Sequence, residues 1–155
     1  MANSIITTGK VLHQIVIGQL QGISEDQFDI QANGFNNTIR WNVGHIVYWM
    51  DRYSTLSFGL PTAIPPVYET LFGTGTKPSE WTIAPPSKAE LTELLMTQLS
   101  RMSELTPEML NMNLHSPFIM GPFGFVTSGE LFNFALMHEA IHLGIFTSQH
   151  KTMQL

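Results

Sequence analysis

The chain has 155 residues, no cysteine and a net charge of −5, from seven Lys and Arg against twelve Asp and Glu. These values fit a single domain over residues 1–155 and exclude thiol nucleophiles, thiolate metal sites and iron–sulfur clusters, while the lack of any basic run argues against nucleic acid or an anionic membrane surface as partner. No apolar run approaches the roughly 18 residues of a membrane span, and no charged segment precedes an apolar one at the N-terminus, so a cytoplasmic protein away from the membrane is expected.

Four segments carry helical periodicity. The first spans about Ser4 to Gln21, where Ile5, Leu12, Ile15, Val16 and Leu20 recur at helical spacing. Asn36, Asn37 and Thr38 are candidate caps for a second helix running to about Phe58, where Gly59 and Pro61 stop it. The third opens at Ser87 with Glu90 three residues on, a capping-box spacing. Its apolar stripe is Leu91, Leu94, Leu95, Leu99 and Met102. Thr106-Pro107 reads as a cap followed by a first-turn proline. The fourth runs from Thr127, again with a capping-box Glu130, to about Lys151.

Between the second and third helices lies a proline-rich stretch holding Pro61, Pro65, Pro66, Pro78, Pro85 and Pro86. Extended, it could reach roughly 100 Å, enough to return along a whole helix and let its flanking helices run parallel. A second irregular stretch, Leu114 to Val126, could hold a short extended pair around Gly121-Pro122. The predicted class is all-α: a four-helix bundle with a long crossover.

Six histidines are present, and two of them, His138 and His142, stand four apart in the fourth helix. Four residues is about one turn, so both imidazoles leave the same face and can converge on one metal ion. At 100° per residue they share a stripe with Leu131, Phe134, Ala135, Ile145 and Gln149, which predicts a core-facing position. Two neutral imidazoles there need a common partner or hydrogen bonds of their own. Residues 138–142 also read H-E-x-x-H, the zinc-protease signature. The tail LGIFTSQHKTMQL offers no carboxylate as third ligand, and Glu139 falls roughly 80° from the stripe's centre, so the protease reading is disfavoured. The third ligand must come from upstream. His45 is favoured because it centres the second-helix face of Thr38, Trp41, Asn42, Tyr48, Trp49, Arg52 and Leu56; His13 is the weaker contender.

The segment Asn37-Thr38-Ile39-Arg40-Trp41-Asn42-Val43-Gly44-His45-Ile46, the later His138-Glu139-Ala140-Ile141-His142-Leu143-Gly144, and the intervening LFGTGTKPSEW and PPSKAEL resemble, in that order, the DinB/YfiT-like metalloenzyme family. The resemblance implies an up-down-down-up four-helix bundle, often dimeric, with a divalent metal on three histidines. Carried over, these are His45, His138 and His142. Family members with known activity include bacillithiol S-transferases and a mycothiol-dependent isomerase. Ile145 departs from the family pattern, which frequently has Gln there.

Trp41, Tyr48, Trp49, Arg52 and Phe134 are candidate pocket residues, with bundle core as the competing role for the aromatics. Two function classes follow. One is a metal-dependent transferase or hydrolase using Zn, Ni or Fe, possible ions for imidazole ligands, with a small thiol as cosubstrate since the chain has no sulfur nucleophile of its own. Arg52 would pair with that thiol's carboxylate. The other is a non-catalytic bundle with a structural metal or none. A charged fraction of 12% and a mean hydropathy of +0.07 add the expectation of a homodimer.

Overall fold

A computed structural model describes residues 2–154. Four long helices dominate: α1 (Ala2–Gln21), α2 (Ile39–Phe58), α4 (Lys88–Ser103) and α6 (Ser128–Thr152). Two short helices, α3 (Tyr68–Phe72) and α5 (Pro107–Leu110), lie between them. The starts follow local chemistry. Thr38, Ser87 and Thr127 cap their helices by accepting from the amides of Trp41, Glu90 and Glu130, and the last two close full capping boxes. Gly59, at φ 66°, ends α2 in the left-handed conformation that glycine adopts without strain.

The chain is mostly helical, and the extended pair expected around Gly121-Pro122 is the exception to the all-α class. Strands β1 (Asn113–Met120) and β2 (Phe123–Thr127) form an antiparallel hairpin turning at Gly121-Pro122. Phe118 pairs with Phe125 and Met120 with Phe123, while the register shifts between Asn113 and Phe118, around Pro117, which has no N–H to give the ladder. The crossover is not wholly irregular either: α3 buries Leu71 and Phe72 in the core.

Side-chain contacts set the helix neighbours. α6 meets α2 through His138–His45, His142–Asn42 and Ser128–Ser57, pairs whose numbers run in opposite senses. α4 meets α2 through Gln98–Val47 and Arg101–Asp51, whose numbers rise together. α1 packs against α4 and α6 through His13. The crossover is tied at both ends. Arg40 clamps Asp29, Glu25 and the Pro86 carbonyl at 2.6–2.8 Å, and Asp51 accepts from Thr62 and the Ala63 amide. No helix of the described residues is long and apolar enough to cross a membrane.

The buried arc of α6 is not the expected one. Leu131, Phe132, Ala135, Leu136, Glu139, Phe146 and Gln149 are buried, whereas His138, His142 and Ile145 are half-buried. The core-facing centre is rotated by roughly 70° from the predicted stripe. Phe132, Leu136 and Phe146 supply apolar surface on one side of that stripe and draw the helix round to bury it. The rotation leaves the two histidines at the border of the core.

Candidate metal centre

Each turn of α2 after its Thr38 cap contributes one piece of the site. Asn42 donates through Nδ2 to the Thr38 carbonyl (2.9 Å) and to Gln149 Oε1 (3.2 Å). This leaves its Oδ1 as acceptor for His142 Nδ1–H at 2.8 Å. One turn on, His45 Nδ1–H donates to the Phe72 carbonyl at 2.6 Å. Phe72 closes α3, and a helix's last carbonyls have no partner within the helix, so this oxygen is free to accept. Gly44 allows the approach, since a Cβ there would overlap the Phe72 ring.

Fixing the proton on Nδ1 frees Nε2 as a lone pair in both His45 and His142. The rings of His45, His138 and His142 stand 4.4–5.0 Å apart, and their ligand atoms all lie within 4.8 Å of one another. His45 Nε2 and His138 Nε2 are 3.2 Å apart. Two nitrogens at ~2.05 Å from a tetrahedral zinc stand roughly 3.3 Å apart, so the spacing fits one small divalent ion. Among the described residues no fourth histidine or carboxylate joins the group.

The surroundings keep the imidazoles neutral, the form that binds metal. Burial, with further lowering by His142 and His138, pushes His45 down to about 3 against the opposing Phe72 hydrogen bond. Burial pushes His138 down to about 4, and burial together with His138 does the same to His142. His45 is only 4% exposed, whereas its two partners on α6 are half-buried, so the cluster is approached from the α6 side.

Of the expected pocket residues, Trp41 stacks on His45 at 4.4 Å and is held by an N–H bond to Thr76 in the crossover. Trp49 lies 6.2 Å from both His45 and His138. Phe134 reaches the group through Tyr53, whose ring is 5.7 Å from Phe134 and 6.0 Å from His138. Tyr48 and Arg52 are elsewhere. With Asp51, Thr62, Pro65 and Glu69 they line a cavity of about 320 Å³ under the crossover that none of the three histidines borders. On the wheel, Asn42, Trp49 and Tyr53 fall roughly 40–80° to one side of His45 and Tyr48 and Arg52 roughly 20–60° to the other. The first side turns toward α6, and from the second only Trp41, one turn before His45, reaches it, with its ring 6.0 Å from His142.

His13 is not with the three. It is fully buried, its Nδ1 2.7 Å from Glu139 Oε1 and its Nε2 3.0 Å from the Leu95 carbonyl. Glu139 therefore points into the core toward α1, away from the histidine cluster, and the H-E-x-x-H arrangement of a protease is not formed. Sequence reading gave no role to Asn42, Tyr53 or the Phe72 carbonyl. The first carried a signal, an amide one turn before the favoured histidine; the last carried none, being a backbone atom of the crossover.

A sequence model described as the DinB superfamily matches residues 13–146, which include all three histidines, the whole of α2 and of the crossover, and α6 as far as Phe146. No curated protein matches the chain.

Proposed function

The chain belongs to the DinB superfamily, and from that premise we propose that it is a metal-dependent transferase acting on a low-molecular-weight thiol, with His45, His138 and His142 as the metal ligands. The observation that carries this reading is the convergence of three neutral imidazoles without a fourth protein ligand, the donor set of an open zinc site rather than a closed one. Zn, Ni and Fe all accept such ligands. Bound there, a divalent ion would supply an open position that favours a thiol as its reactive thiolate.

The chain's own residues supply orientation and shielding. Phe72 and Asn42 hold two of the rings in the ligating tautomer, and Trp41 covers His45. Trp49, Tyr53 and Phe134 present an aromatic wall beside His138. With no cysteine in the sequence, the sulfur arrives with the cosubstrate. It bonds to the electrophilic carbon of the second substrate, the leaving group departs with its bonding pair, and the thiol proton goes to solvent. Tyr48 and Arg52, in the cavity beneath the crossover, are proposed to act only on a thiol long enough to reach it. The architecture we assign is a four-helix bundle of up-down-down-up type, supported by α2 running antiparallel to α6 and parallel to α4. The proposed setting is the cytoplasm, where reduced thiols are available. The proposed assembly is a homodimer, supported by exposed apolar side chains such as Val11, Ile15 and Met96.

Elemental analysis tests the ligand set: one divalent ion per chain is expected, with loss of most of it in His142→Ala. Equal content in both proteins would overturn it. Incubation of metal-loaded protein with bacillithiol and monochlorobimane tests the reaction. Conjugation no faster than with His138→Ala would leave a non-catalytic metal-binding bundle instead. Light scattering that gives a monomer mass at micromolar concentration would remove the dimer.

A further inference from the structure

One polar atom beside the histidines lacks a partner. The indole Nε1 of Trp49 is shielded from water and makes no hydrogen bond among the described residues. A buried donor left unpaired costs about 1–3 kcal/mol, and native proteins rarely retain one without use for it. The Trp49 ring is 6.2 Å from His45 and from His138, so the unpaired donor belongs to a ring that borders the histidine cluster.

The same aromatic cluster continues away from the histidines as packed rings, with Tyr53 at 3% exposure in its interior. Tyr53 lies 5.2 Å from Trp49 and 6.1 Å from Phe118, and Phe134 lies 5.0 Å from Phe125. Beyond Phe134, which precedes His138 by one turn of α6, the hairpin and α6 enclose a cavity of about 240 Å³ lined by Phe123, Phe125, Glu130, Asn133, Phe134 and Met137. Phe123 and Met137 are 59% and 54% exposed, and Met137 directly precedes His138 on α6, so uncovered apolar surface lies one residue from a ligand candidate. The Glu130 carboxylate at the cavity's edge accepts from the amides of Val126 and Thr127, which ties it to the start of α6.

We propose that the three-histidine site takes an apolar or aryl compound bearing a carbonyl, carboxylate or hydroxamate oxygen, with the oxygen accepting from Trp49 Nε1–H and the apolar group lying along Phe134 into the hairpin cavity. This deepens the metal-centre reading and rests on it. It names the electrophilic partner's class and makes the hairpin the specificity element.

Cobalt-loaded protein provides a readout independent of turnover, because its visible absorption responds to a ligand entering the metal's open position. Acetohydroxamate and benzohydroxamate share a metal-binding group and differ in the aryl group. Wild type is expected to bind benzohydroxamate at least about tenfold more tightly. Phe134→Ala and the surface variant Phe123→Ser should each reduce that preference, read as the ratio of the two affinities within each variant, so a folding defect in the first does not decide the result. Trp49→Phe, which keeps the ring and removes the N–H, should weaken both probes by roughly five- to tenfold. Equal affinity for the two probes in cobalt-loaded wild type, or no effect of the three substitutions, overturns this inference alone. Failure of wild type to take up cobalt overturns it together with the metal centre. A dimer that Phe123→Ser dissociates, with the aryl preference intact, would assign the cavity to a second copy and overturn the inference as well.

Discussion

Two histidine clusters share α6, and the residues that distinguish them are neighbours in sequence. Glu139 belongs to a sealed cluster: it is 1% exposed, His13 opposite it is fully buried, and both imidazole nitrogens of His13 meet oxygen acceptors. The Leu95 carbonyl can only accept, so Nε2–H donates to it, while Nδ1 faces the Glu139 carboxyl group. His138 and His142 belong to an open cluster at the border of the core. There the protein satisfies Nδ1 of His45 and of His142 and leaves the Nε2 atoms facing each other. A histidine whose two nitrogens are both met by protein oxygens holds helices together. One whose second nitrogen is left facing other bare nitrogens is arranged for a cation.

The sharpest way to break this distinction is to remove one member of the sealed pair. Glu139→Ala or His13→Ala should each cost about 3–5 kcal/mol of folding stability, because the surviving polar group stays buried without its partner. The double variant should cost clearly less than the sum, as the partners fail together. Metal content should stay at the wild-type level as long as the protein is folded. Urea denaturation alongside elemental analysis reads both. Loss of metal in Glu139→Ala at unchanged stability would move Glu139 into the metal centre and restore the H-E-x-x-H reading.

A smaller effect is expected from Gly44→Ala, which tests the support of the open cluster rather than its ligands. The added Cβ must displace the Phe72 ring, an overpacking worth about 1–3 kcal/mol. The displacement also carries off the carbonyl that fixes His45, and an outer-shell change of this kind typically weakens metal binding by roughly 10–100-fold. Unchanged cobalt affinity in a folded Gly44→Ala protein would show that His45 does not depend on Phe72.

Much of the frame was legible in the sequence because it is written in short-range chemistry. Thr38, Ser87 and Thr127 mark their helix starts by a hydroxyl at the right offset from the first turn, and Gly59 marks an end by its freedom at positive φ. The three histidines were legible too, two by helical spacing and the third by its place on the facing stripe. The rotation of α6 was not. A wheel drawn from seven residues spanning Leu131 to Gln149 weighs the histidines as core, whereas burying Phe132, Leu136 and Phe146 together decides the helix's actual angle. For the same reason the wheel assigned Arg52 to the site face and missed Tyr53. The residues on both sides of His45 are aromatic or polar, and only the position of α6 chooses between them. α3 is five residues long, too short to show a period, yet it supplies the carbonyl that orients His45.

The smallest expected effect concerns how tightly the open cluster's wall is closed. Burial raises Tyr53, beside His138, to about 12, and burial with the charge of Glu90 raises Tyr68, in the core under the crossover, to about 12 as well. The ordinary value, and that of the unfolded chain, is near 10. A folded value above the unfolded one means the folded state holds the proton more firmly, so the contribution is complete below pH 10 and is lost as the pH rises through 12. By pH 11 the unfolded chain has ionised these groups while the folded chain has not, and stability should fall by about 1–2 kcal/mol, discounted for partial contact with solvent. Tyr53→Phe and Tyr68→Phe should each remove about half of that loss. Tyrosinate absorbance then separates the two regions. If both residues ionise only with unfolding, the wall beside His138 is packed as firmly as the core. If Tyr53 ionises near pH 10 while Tyr68 waits for unfolding, the wall opens to water in the folded protein, and the aryl group assigned to it would have to close it on binding.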